Sequence, residues 1–558
     1  MRSPSVCGLY FSIQGIRLLK RFMHLFIFVY GQDLFCALTM HLQLLSRKSS
    51  IIVSQNVISA LFGYVGLFFI TRFIGVQAFG FLAFGMGFAG TMSLVTDLGF
   101  TTANVKTQAE GRDIAENNGT FLAIKLALGI IFVIVTLSAL LVWTDILHRG
   151  FESPVEYWVV IALIPYYFFN SLIGFTNSFY SANLSPTRLA IPPLIEAILR
   201  NSIFIFLGLA FYYNLPGHEI ISGAIALGLT YSVTYTTYFL ISLYVGRPWK
   251  IGRPSWNTFR KYRKIALPLA FSTALGTING NIDKVIIQFF WQATATAAFY
   301  ADQKIVLLIS SLSSAVSVFF LPMLSKIHAH GTRENFSSSV KEYERFISLF
   351  ILPFVVLFIV YSSEIVNLFS AAFISYSAIL GILAVNIYFS ITLSPYSSAL
   401  IARGKSPVIG ILALISVTAN IILNFILVPP MIFGTRIFSL GVAGAAISTL
   451  MVTLANYVIL QTMLYRSHGA GFNFYLAKQL IPAGAEAVFL LGISMLINVK
   501  DIIVLLPVSV ASILIFVGIA MIIREVSLEE IKIFIHGMNP LGFRKSLEEE
   551  MSGKKGNI

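Results

Sequence analysis

Long apolar runs without a charged side chain recur along this sequence, and they limit its possible folds more than any other feature. Residues 203–213, 349–360 and 502–523 contain no Asp, Glu, Lys or Arg. A helix needs about 20 mostly apolar residues to cross the hydrocarbon of a bilayer. Only 11% of the 558 residues are charged, whereas a soluble domain carries about 25%. The sequence therefore predicts an all-α integral membrane protein.

Hydropathy and helix breakers divide the chain into fourteen predicted membrane spans. The spans are residues 50–71, 78–102, 119–143, 156–181, 188–213, 218–245, 262–290, 294–323, 345–369, 373–401, 407–430, 438–464, 477–498 and 502–523. They group into six segments. These are an N-terminal extension (1–45), an N-terminal six-helix bundle (46–245), a basic cytoplasmic linker (246–264), a C-terminal six-helix bundle (265–466), two additional helices (467–523) and a cytoplasmic tail (524–558).

Basic residues lie mainly in every second predicted loop. Loops on one side hold Arg47, Lys48, Lys106, Arg112, Arg188, the cluster over residues 247–264, Lys326, Arg333, Lys341, Arg345, Arg403, Lys405 and Arg466. Loops on the opposite side hold Arg72, Arg149, Arg436 and Lys500. Because basic loops stay in the cytoplasm, we predict a multi-pass protein of the cell membrane with both termini in the cytoplasm. This topology, rather than nucleic-acid binding, explains the net charge of +14.

The N-terminal extension does not fit this pattern, because a basic patch is followed by an apolar stretch that Gln32 and Asp33 interrupt. Two interpretations stay open. Residues 1–45 form a segment outside the membrane core, or the start codon is assigned too far upstream, with Met23 or Met40 as the true start. Both cysteines lie in this extension, so the rest of the chain has no thiol chemistry.

The chain looks duplicated, since the same arrangement opens each six-helix bundle. In the first bundle a span ends near Arg72, and the chain returns through Gly75 and Gly80. Residues 285–300 repeat this helix, tight turn and returning helix. Parallel repeats of this kind are related by an axis along the membrane normal, with the transport site between them. The expected path therefore lies between the two halves.

Four stretches of the sequence carry a family resemblance. They are Arg72-Phe-Ile-Gly75 with Phe79-Gly80, Asp97-Leu-Gly99, Ile282-Asp283-Lys284 with Phe299-Tyr300 and Phe320-Leu-Pro322, and Arg403-Gly-Lys405 with Gly441-Val-Ala-Gly444-Ala-Ala446. In order and spacing they resemble the polysaccharide and lipid-linked oligosaccharide flippases of the multidrug/oligosaccharidyl-lipid/polysaccharide transporter superfamily. The resemblance covers residues 46–466, and two further helices are usual in the polysaccharide branch. The chain departs from it in the extension and at Asp302.

This resemblance implies two pseudo-symmetric six-helix bundles in a V that opens alternately to each side. It implies a flippase that moves a glycan linked to polyprenyl phosphate or pyrophosphate from the cytoplasmic to the outer leaflet, without hydrolysing it. The partners implied are the lipid-linked glycan, the bilayer and other glycan-assembly membrane proteins, with no nucleic acid. No cofactor or metal is expected, and a coupling proton or sodium ion stays open.

Two rival functions stay open beside the flippase. The first is a multidrug/cation antiporter of the same superfamily, which usually stops at twelve spans, whereas this chain has the apolar pair 477–498 and 502–523. The second is a membrane glycan polymerase or glycosyltransferase. Such enzymes place acidic catalytic groups in a substantial external loop, and every predicted outer loop here is short.

Charged residues at membrane depth are the candidates for the transport site, because each costs about 2.5–3.5 kcal/mol on insertion scales. The candidates are Glu196, Arg200, Asp283, Lys284, Asp302 and Lys304. In one interpretation the cations attract phosphate or acidic sugars, and in the other these residues form ion pairs that position spans seven and eight. Glu196 and Arg200 are four residues apart, so they share a helix face and can pair.

Other candidates have predicted structural roles. Arg72 and Asp97, at helix ends, are expected to anchor loops or gates. We expect Gly75, Gly80, Gly441 and Gly444 to permit tight turns and close helix contacts. Lys125 is expected to extend its amine to the membrane surface. The aromatic run over residues 166–169 is expected to belong to an interfacial girdle.

Overall fold

A computed structural model describes most of the membrane part of the chain. The described residues are 51–52, 54–109, 113–146, 153–183, 185–214, 219–247, 249–307, 309–310, 333–403, 405–431, 438–468 and 473–526. The N-terminal extension, both cysteines, Phe320-Leu-Pro322 and residues 527–558 of the predicted tail lie outside them. Within these ranges the long regular elements are helices, which confirms the predicted fold class.

Seven helices make up the first half of the molecule, residues 54–245. They are α1 (Ser54–Ile74), α2 (Val76–Met92), α3 (Phe100–Ala109), α4 (Ile114–Leu141), α5 (Pro154–Ala182), α6 (Pro186–Asn214) and α7 (Glu219–Val245). The helix α3 is short and follows a turn at the end of α2. The other six are the predicted spans one to six.

The second half, residues 256–468, is followed by a C-terminal helix pair. The second half contains α8 (Trp256–Phe290), α9 (293–307), α10 (Arg333–Val360), α11 (Ser362–Phe369), α12 (Ala378–Thr392), α13 (Ser394–Ala402), α14 (Ser406–Leu427) and α15 (Val442–His468). The pair consists of α16 (Phe474–Leu496) and α17 (Ile502–Ile522). Both helices pack against α10, so the pair belongs to the second half.

Twelve helices within the described residues are long and apolar enough to cross a membrane. The predicted seventh span lies in α8, whose residues 272–281 are rich in Ser, Thr, Gly and Asn. The predicted eighth span lies partly outside the described residues. The count of fourteen therefore stays a prediction. The helix α8 also begins earlier than predicted, so the end of the expected linker is helical.

The two halves repeat one another in detail. In the first half α7 packs on α5 and α6, as α15 packs on α12 and α14 in the second. The turns after α5 and α13 have the same backbone geometry, because Asn183 and Arg403 both have φ −87° and ψ 6°. After each, the N–H of Ser185 or Lys405 donates to the carbonyl five residues earlier at 3.0 Å. This repetition supports the predicted duplication.

A buried polar cluster ties the C-terminal pair to the second half. The carboxylate of Glu344 in α10 accepts hydrogen bonds from the hydroxyls of Tyr396 and Tyr457 and from the amide of Asn473. Deeper in the bundle, Ser348 donates to Gln479 of α16 at 2.7 Å. Buried polar groups need such partners, since an unpaired one costs roughly 1–3 kcal/mol. The cluster therefore fixes where α16 begins against α10.

Candidate functional site

Three predicted cations converge where the two halves meet, along α2 and α8. Arg200 comes from α6, Lys284 from α8 and Lys304 from α9, and all three surround Tyr300. The amines of Lys284 and Lys304 lie 5.2 and 5.0 Å from the centre of the Tyr300 ring. Arg200 also interacts electrostatically with Tyr300. Because an aromatic ring attracts cations at such distances, Tyr300 holds like charges close together at the junction.

Arg200 is held by its own half of the molecule. Its Nε donates to Glu196 Oε1 at 2.6 Å, which is the expected pair one helical turn apart. Its guanidinium lies 5.0 Å from the centre of the Tyr231 ring. Thr234 donates to the same Glu196 oxygen at 3.3 Å. The carboxylate of Glu196 thus orients Arg200, whereas Lys284 and Lys304 lie against the Tyr300 ring.

Tyrosines line the first-half side of this junction. The ring of Tyr166 lies 5.4 Å from Tyr231 and 4.4 Å from Tyr235, centre to centre. Tyr167 is buried and donates to the carbonyl of Met86 at 2.7 Å. Since both residues lie in the middle of α5 and face inward, the expected interfacial girdle is wrong for them. Aromatic faces and hydroxyls are groups that bind sugars, so these rings add to the candidate site.

Glycines bring α8 against α2 beside Lys284. A Cβ on Gly87 would lie 2.8 Å from Lys284 Cβ, and one on Gly90 would lie 2.5 Å from Asn281 Oδ1. That Asn281 oxygen accepts a hydrogen bond from the Lys284 amine at 3.0 Å. One turn nearer the start of α8, Gly280 has no described neighbour within 4 Å of where its Cβ would be. Gly280 therefore faces open space, and the contact of α8 with the first half resumes nearer its start, where a Cβ on Gly99 would lie 2.8 Å from Leu269 Cβ.

Asp283 points away from the three cations and into the second half. Its carboxylate accepts hydrogen bonds from Asn424 at 2.8 Å and from Thr449 at 3.3 Å. Asn424 also donates to Asn420 Oδ1 at 3.0 Å. Asp283 therefore joins α8 to α14 and α15.

Asp302 also lies apart from the cations. It is only 2% exposed. In the described part of the chain, none of the hydrogen bonds or ion pairs around Arg200, Lys284 and Lys304 includes it. Of the six predicted charges, the structure thus brings four together and leaves the two aspartates elsewhere.

An ion pair closes the end of α2 that faces the predicted cytoplasm, which we call the basic end of the molecule. The amine of Lys125 lies 2.6 Å from Asp97 Oδ1 and donates to the Thr96 carbonyl at 3.2 Å. Asp97 also accepts from the Gly99 and Thr101 N–H groups, both at 3.2 Å. The expectation that Lys125 reaches the membrane surface is wrong, because its side chain is 2% exposed and Asp97 satisfies its charge within the bundle.

Arg72 joins the two halves at the opposite end. It donates to the carbonyls of Asn367 and Leu368 in α11, at 2.6 and 3.1 Å. Gly75 has φ +115°, which side-chain-bearing residues rarely adopt, and it ends α1 beside Arg72.

A buried hydrogen-bond chain also crosses between the halves at this end. Thr296 donates to Gln288 at 2.7 Å, and Gln288 donates to Glu156 of α5 at 2.7 Å. Two of these residues come from the second half and one from the first. The molecule is therefore closed at the end opposite the basic loops.

The remaining predicted glycines allow close contacts. A Cβ on Gly80 would lie 2.0 Å from the Ala293 carbonyl oxygen. Gly441 has φ +62° and lies against the Trp291 ring. A Cβ on Gly444 would lie 2.6 Å from the Leu427 carbonyl oxygen. In each case the neighbour comes from another helix or turn. A side chain at the glycine would therefore keep the two elements apart.

Replacing Gly80 by Val is expected to open the closed end. Overpacking of this kind costs about 1–3 kcal/mol, which is roughly 5- to 150-fold in a conformational equilibrium. The measurement is labelling of a cysteine at Ala297 by a membrane-impermeant maleimide, in a protein whose Cys7 and Cys36 are replaced by Ser. Gly63→Val is the matched control, because no described atom lies within 4 Å of its Cβ position. Equal labelling rates in the two variants would contradict the prediction.

Sequence reasoning missed three buried carboxylates. Glu156 is the first residue of the predicted fourth span and Glu344 immediately precedes the ninth, so neither counts among the charges at membrane depth. Glu486 lies within the predicted thirteenth span and is fully buried, with Ser512 of α17 beside it. The rule for charges at membrane depth could have found Glu486. Nothing in the sequence signals the partners of the other two.

An apolar groove of about 910 Å³ opens beside the junction, toward the closed end. Its walls are α1, α10, α11 and α17, together with Ile305 of α9, and Arg72, Lys500 and Asp501 stand among its polar lining residues. The hydroxyl of Tyr64 in α1 donates to the Ile305 carbonyl at 2.6 Å within this wall. The groove therefore adjoins the contact between α1 and α9, one from each half.

Comparisons with known proteins agree with this architecture. Residues 45–328 match the family model described as polysaccharide biosynthesis protein. The capsular polysaccharide biosynthesis protein CapF of Staphylococcus aureus is 24% identical over 338 residues, covering 60% of this chain and 78% of CapF.

Solved structures show the same fold. The lipid II flippase MurJ in an inward closed conformation has a TM-score of 0.61 at 17% identity, over 84% of this chain and 98% of MurJ. A multidrug resistance MATE family transporter in an inward-facing conformation has a TM-score of 0.51 at 15% identity, over 75% of this chain and 94% of its own. The predicted architecture of two bundles in a V is thereby confirmed.

Proposed function

The chain belongs to the polysaccharide biosynthesis protein family, and from that premise we propose that it is a lipid-linked glycan flippase. Its cargo would be an oligosaccharide or polysaccharide repeat unit on polyprenyl phosphate or pyrophosphate. It would carry this cargo from the cytoplasmic to the outer leaflet of the cell membrane, with both of its own termini in the cytoplasm. Surface glycan or glycoprotein synthesis would use the product, with other glycan-assembly membrane proteins as partners.

The observation that carries this proposal is the cluster of Arg200, Lys284 and Lys304 around Tyr300. A phosphate in the bilayer core loses its hydration, and burying an unpaired ion costs several kcal/mol or more. Three cations at the junction of the halves would bind the phosphate in place of the lost water. The neighbouring tyrosines supply hydroxyls and ring faces for sugars. The apolar groove can keep a hydrocarbon tail beside the protein while the headgroup crosses.

The same cluster argues against the cation antiporter. A cationic drug at this site would meet three positive charges, and among the described residues only Arg200 of the three has a carboxylate within hydrogen-bond distance. MATE transporters share the fold with this chain, and at 15% identity that likeness concerns the fold alone. The family and the structural neighbours also argue against an enzyme, because they are transporters and flippases. We therefore propose that the protein moves its substrate without changing it.

Asp283 supports a coupling-ion site, with proton and sodium both open. Its carboxylate accepts hydrogen bonds from the Asn424 amide nitrogen and the Thr449 hydroxyl, and the same amide nitrogen donates to Asn420 Oδ1, so several side-chain oxygens lie within one hydrogen-bond network. Within the described residues Asn424 Oδ1 accepts no hydrogen bond. Hard cations such as sodium favour oxygen ligands of these kinds. An ion bound here would sit one residue from Lys284, so its charge would act on the helix that carries a substrate-site cation.

The test is a flipping assay in reconstituted vesicles. A lipid-linked oligosaccharide is placed in one leaflet, and its exposure to an impermeant glycosidase is followed over time. We expect exposure within minutes with the protein and none with empty vesicles. Repeating the assay with a sodium or a pH gradient identifies the coupling ion. Transport of a cationic dye without any flipping of the glycan lipid would overturn the proposal, as would a deletion strain that still displays its surface glycan.

A further inference from the structure

The segment that joins the two halves, residues 246–264, carries a concentration of exposed positive charge. Seven cationic side chains in it are exposed, and the segment contains no Asp or Glu. They are Arg247, Lys250, Arg253, Arg260, Lys261, Arg263 and Lys264. Charge of one sign at this density attracts anions and repels copies of itself.

This segment is docked firmly onto the first half. The Gly252 N–H donates to the Ala115 carbonyl at 2.7 Å, and the Ser255 N–H donates to Thr120 Oγ1 at 2.9 Å. Tyr262 is buried and donates to Asn104 Oδ1 at 2.7 Å. Because these contacts occupy the inner face of the segment, its cationic side chains are presented together on the outer face. The cations therefore form a fixed surface.

Exposed aromatic and aliphatic side chains lie among these cations. Trp256 is 62% exposed and lies beneath the Arg260 guanidinium, which is 5.9 Å from its ring. Tyr244, at the end of α7, is similarly exposed and has Arg247 5.4 Å from its ring. Tryptophan and tyrosine favour the membrane–water interface, where one side is apolar and the other hydrated. A purely aqueous partner would not need these rings.

The depth of the segment agrees with this interpretation. The helix α7 ends at Val245, and α8 becomes apolar from Ile265, with Leu267 and Phe271 exposed on its surface. The basic segment lies between these two points, so it stands where both helices leave the hydrocarbon. Lipid phosphates lie at that level, and basic residues there are drawn to anionic lipids of the cytoplasmic leaflet.

We propose that residues 246–264 form a binding site for anionic phospholipid headgroups of the cytoplasmic leaflet. The cations bind the lipid phosphates, and Trp256 inserts beside them. The site is separate from the cations around Tyr300 and does not depend on what the protein transports. Because the segment joins the halves, bound lipid lies against the connection on which their relative movement depends.

The test uses the fluorescence of Trp256 in vesicles. The signal of this residue is the difference between the wild-type protein and Trp256→Phe. Brominated lipids quench a tryptophan that they touch, so phosphatidylcholine vesicles receive the same rising series of fractions of brominated phosphatidylglycerol or brominated phosphatidylcholine. We expect phosphatidylglycerol to quench this signal at an at least threefold lower fraction. The difference signal of Trp158→Phe is the control, because Trp158 is 55% exposed in α5, away from the basic segment, and should show no preference.

Two further arms test the role of charge. The variant R260Q/K261Q/R263Q/K264Q should remove most of the preference, so that the two lipids quench at nearly the same fraction, since each basic residue contributes to anionic-lipid attraction. High salt should reduce it in the unaltered protein, which keeps the test valid if the variant folds poorly. Equal quenching by the two lipids in the wild-type protein would overturn the proposal. So would a preference that neither salt nor the four substitutions changes.

Discussion

Replacing Lys284 and Lys304 together by Gln should lower lipid-linked glycan flipping at least 100-fold. A hydrogen bond to a charged group contributes about 1.5–3 kcal/mol, and each 1.4 kcal/mol is a factor of ten. Either single substitution should therefore lower the flipping rate about tenfold or more. The double substitution should lower it by the product of the two single reductions. Both amines lie about 5 Å from the Tyr300 ring and interact electrostatically with one another, so a phosphate bound here would be attracted by both. The glycosidase-exposure assay measures the effect.

The controls separate charge from folding. Lys106→Gln removes an exposed cation of α3 and should leave flipping unchanged. The double variant K284R/K304R keeps both charges and should retain a substantial fraction of the rate. Thermal unfolding in detergent checks that the Gln variants are folded, which we expect because neither lysine is in an ion pair within the described residues. Normal flipping by a folded K284Q/K304Q protein would exclude this cluster as the phosphate site.

Replacing Lys125 by Met should destabilise the first half by about 3 kcal/mol. Removing one partner of a buried ion pair leaves the other uncompensated, at a cost of about 3–5 kcal/mol. The lower figure applies because Asp97 is 33% exposed and keeps its hydrogen bonds to Gly99 and Thr101. The measurement is the thermal unfolding midpoint of the purified protein, with Lys106→Met as the surface control.

The double variant D97N/K125M is the decisive comparison. Asparagine can still accept hydrogen bonds from the turn after α2, but it carries no charge that needs Lys125. We therefore expect the double variant to be more stable than Lys125→Met alone. If the two have the same unfolding midpoint, the ion pair is not what holds this turn, and the packing of the Lys125 methylene groups would explain the loss.

The fold class could be predicted because it depends on local composition. Charge-free runs and alternating basic loops are visible within windows of 20 residues, and they led to α1, α2 and the helices of both halves. The helix α8 was harder to delimit, because its polar stretch borders the open space at the junction and therefore carries less apolar character than a lipid-facing span. Its docked first turns also look like a loop in sequence, since they alternate buried Thr258 and Tyr262 with exposed cations.

The site could be predicted only in part, because partners come from distant positions. The rule that charges at depth have a role selected Arg200, Lys284 and Lys304, which the structure brings together around Tyr300. It could not distinguish Asp283 from Lys284, which are adjacent in sequence but point to different helices. The side that each faces is set by Asn424 on α14 and Tyr300 on α9. Lys125 was misjudged for the same reason, since Asp97 lies 28 residues away.

The unbroken length of α8 sets the mechanics of opening. Its 35 residues make a rod about 52 Å long at 1.5 Å per residue. One end is docked on the first half through Thr258 and Tyr262. The other end carries Gln288, which donates a hydrogen bond to Glu156 of the first half. A tilt of about 10° around the docked end would displace the far end by about 9 Å, close to one helix diameter. A small rotation of α8 as one body is thus enough to part the closed end of the molecule.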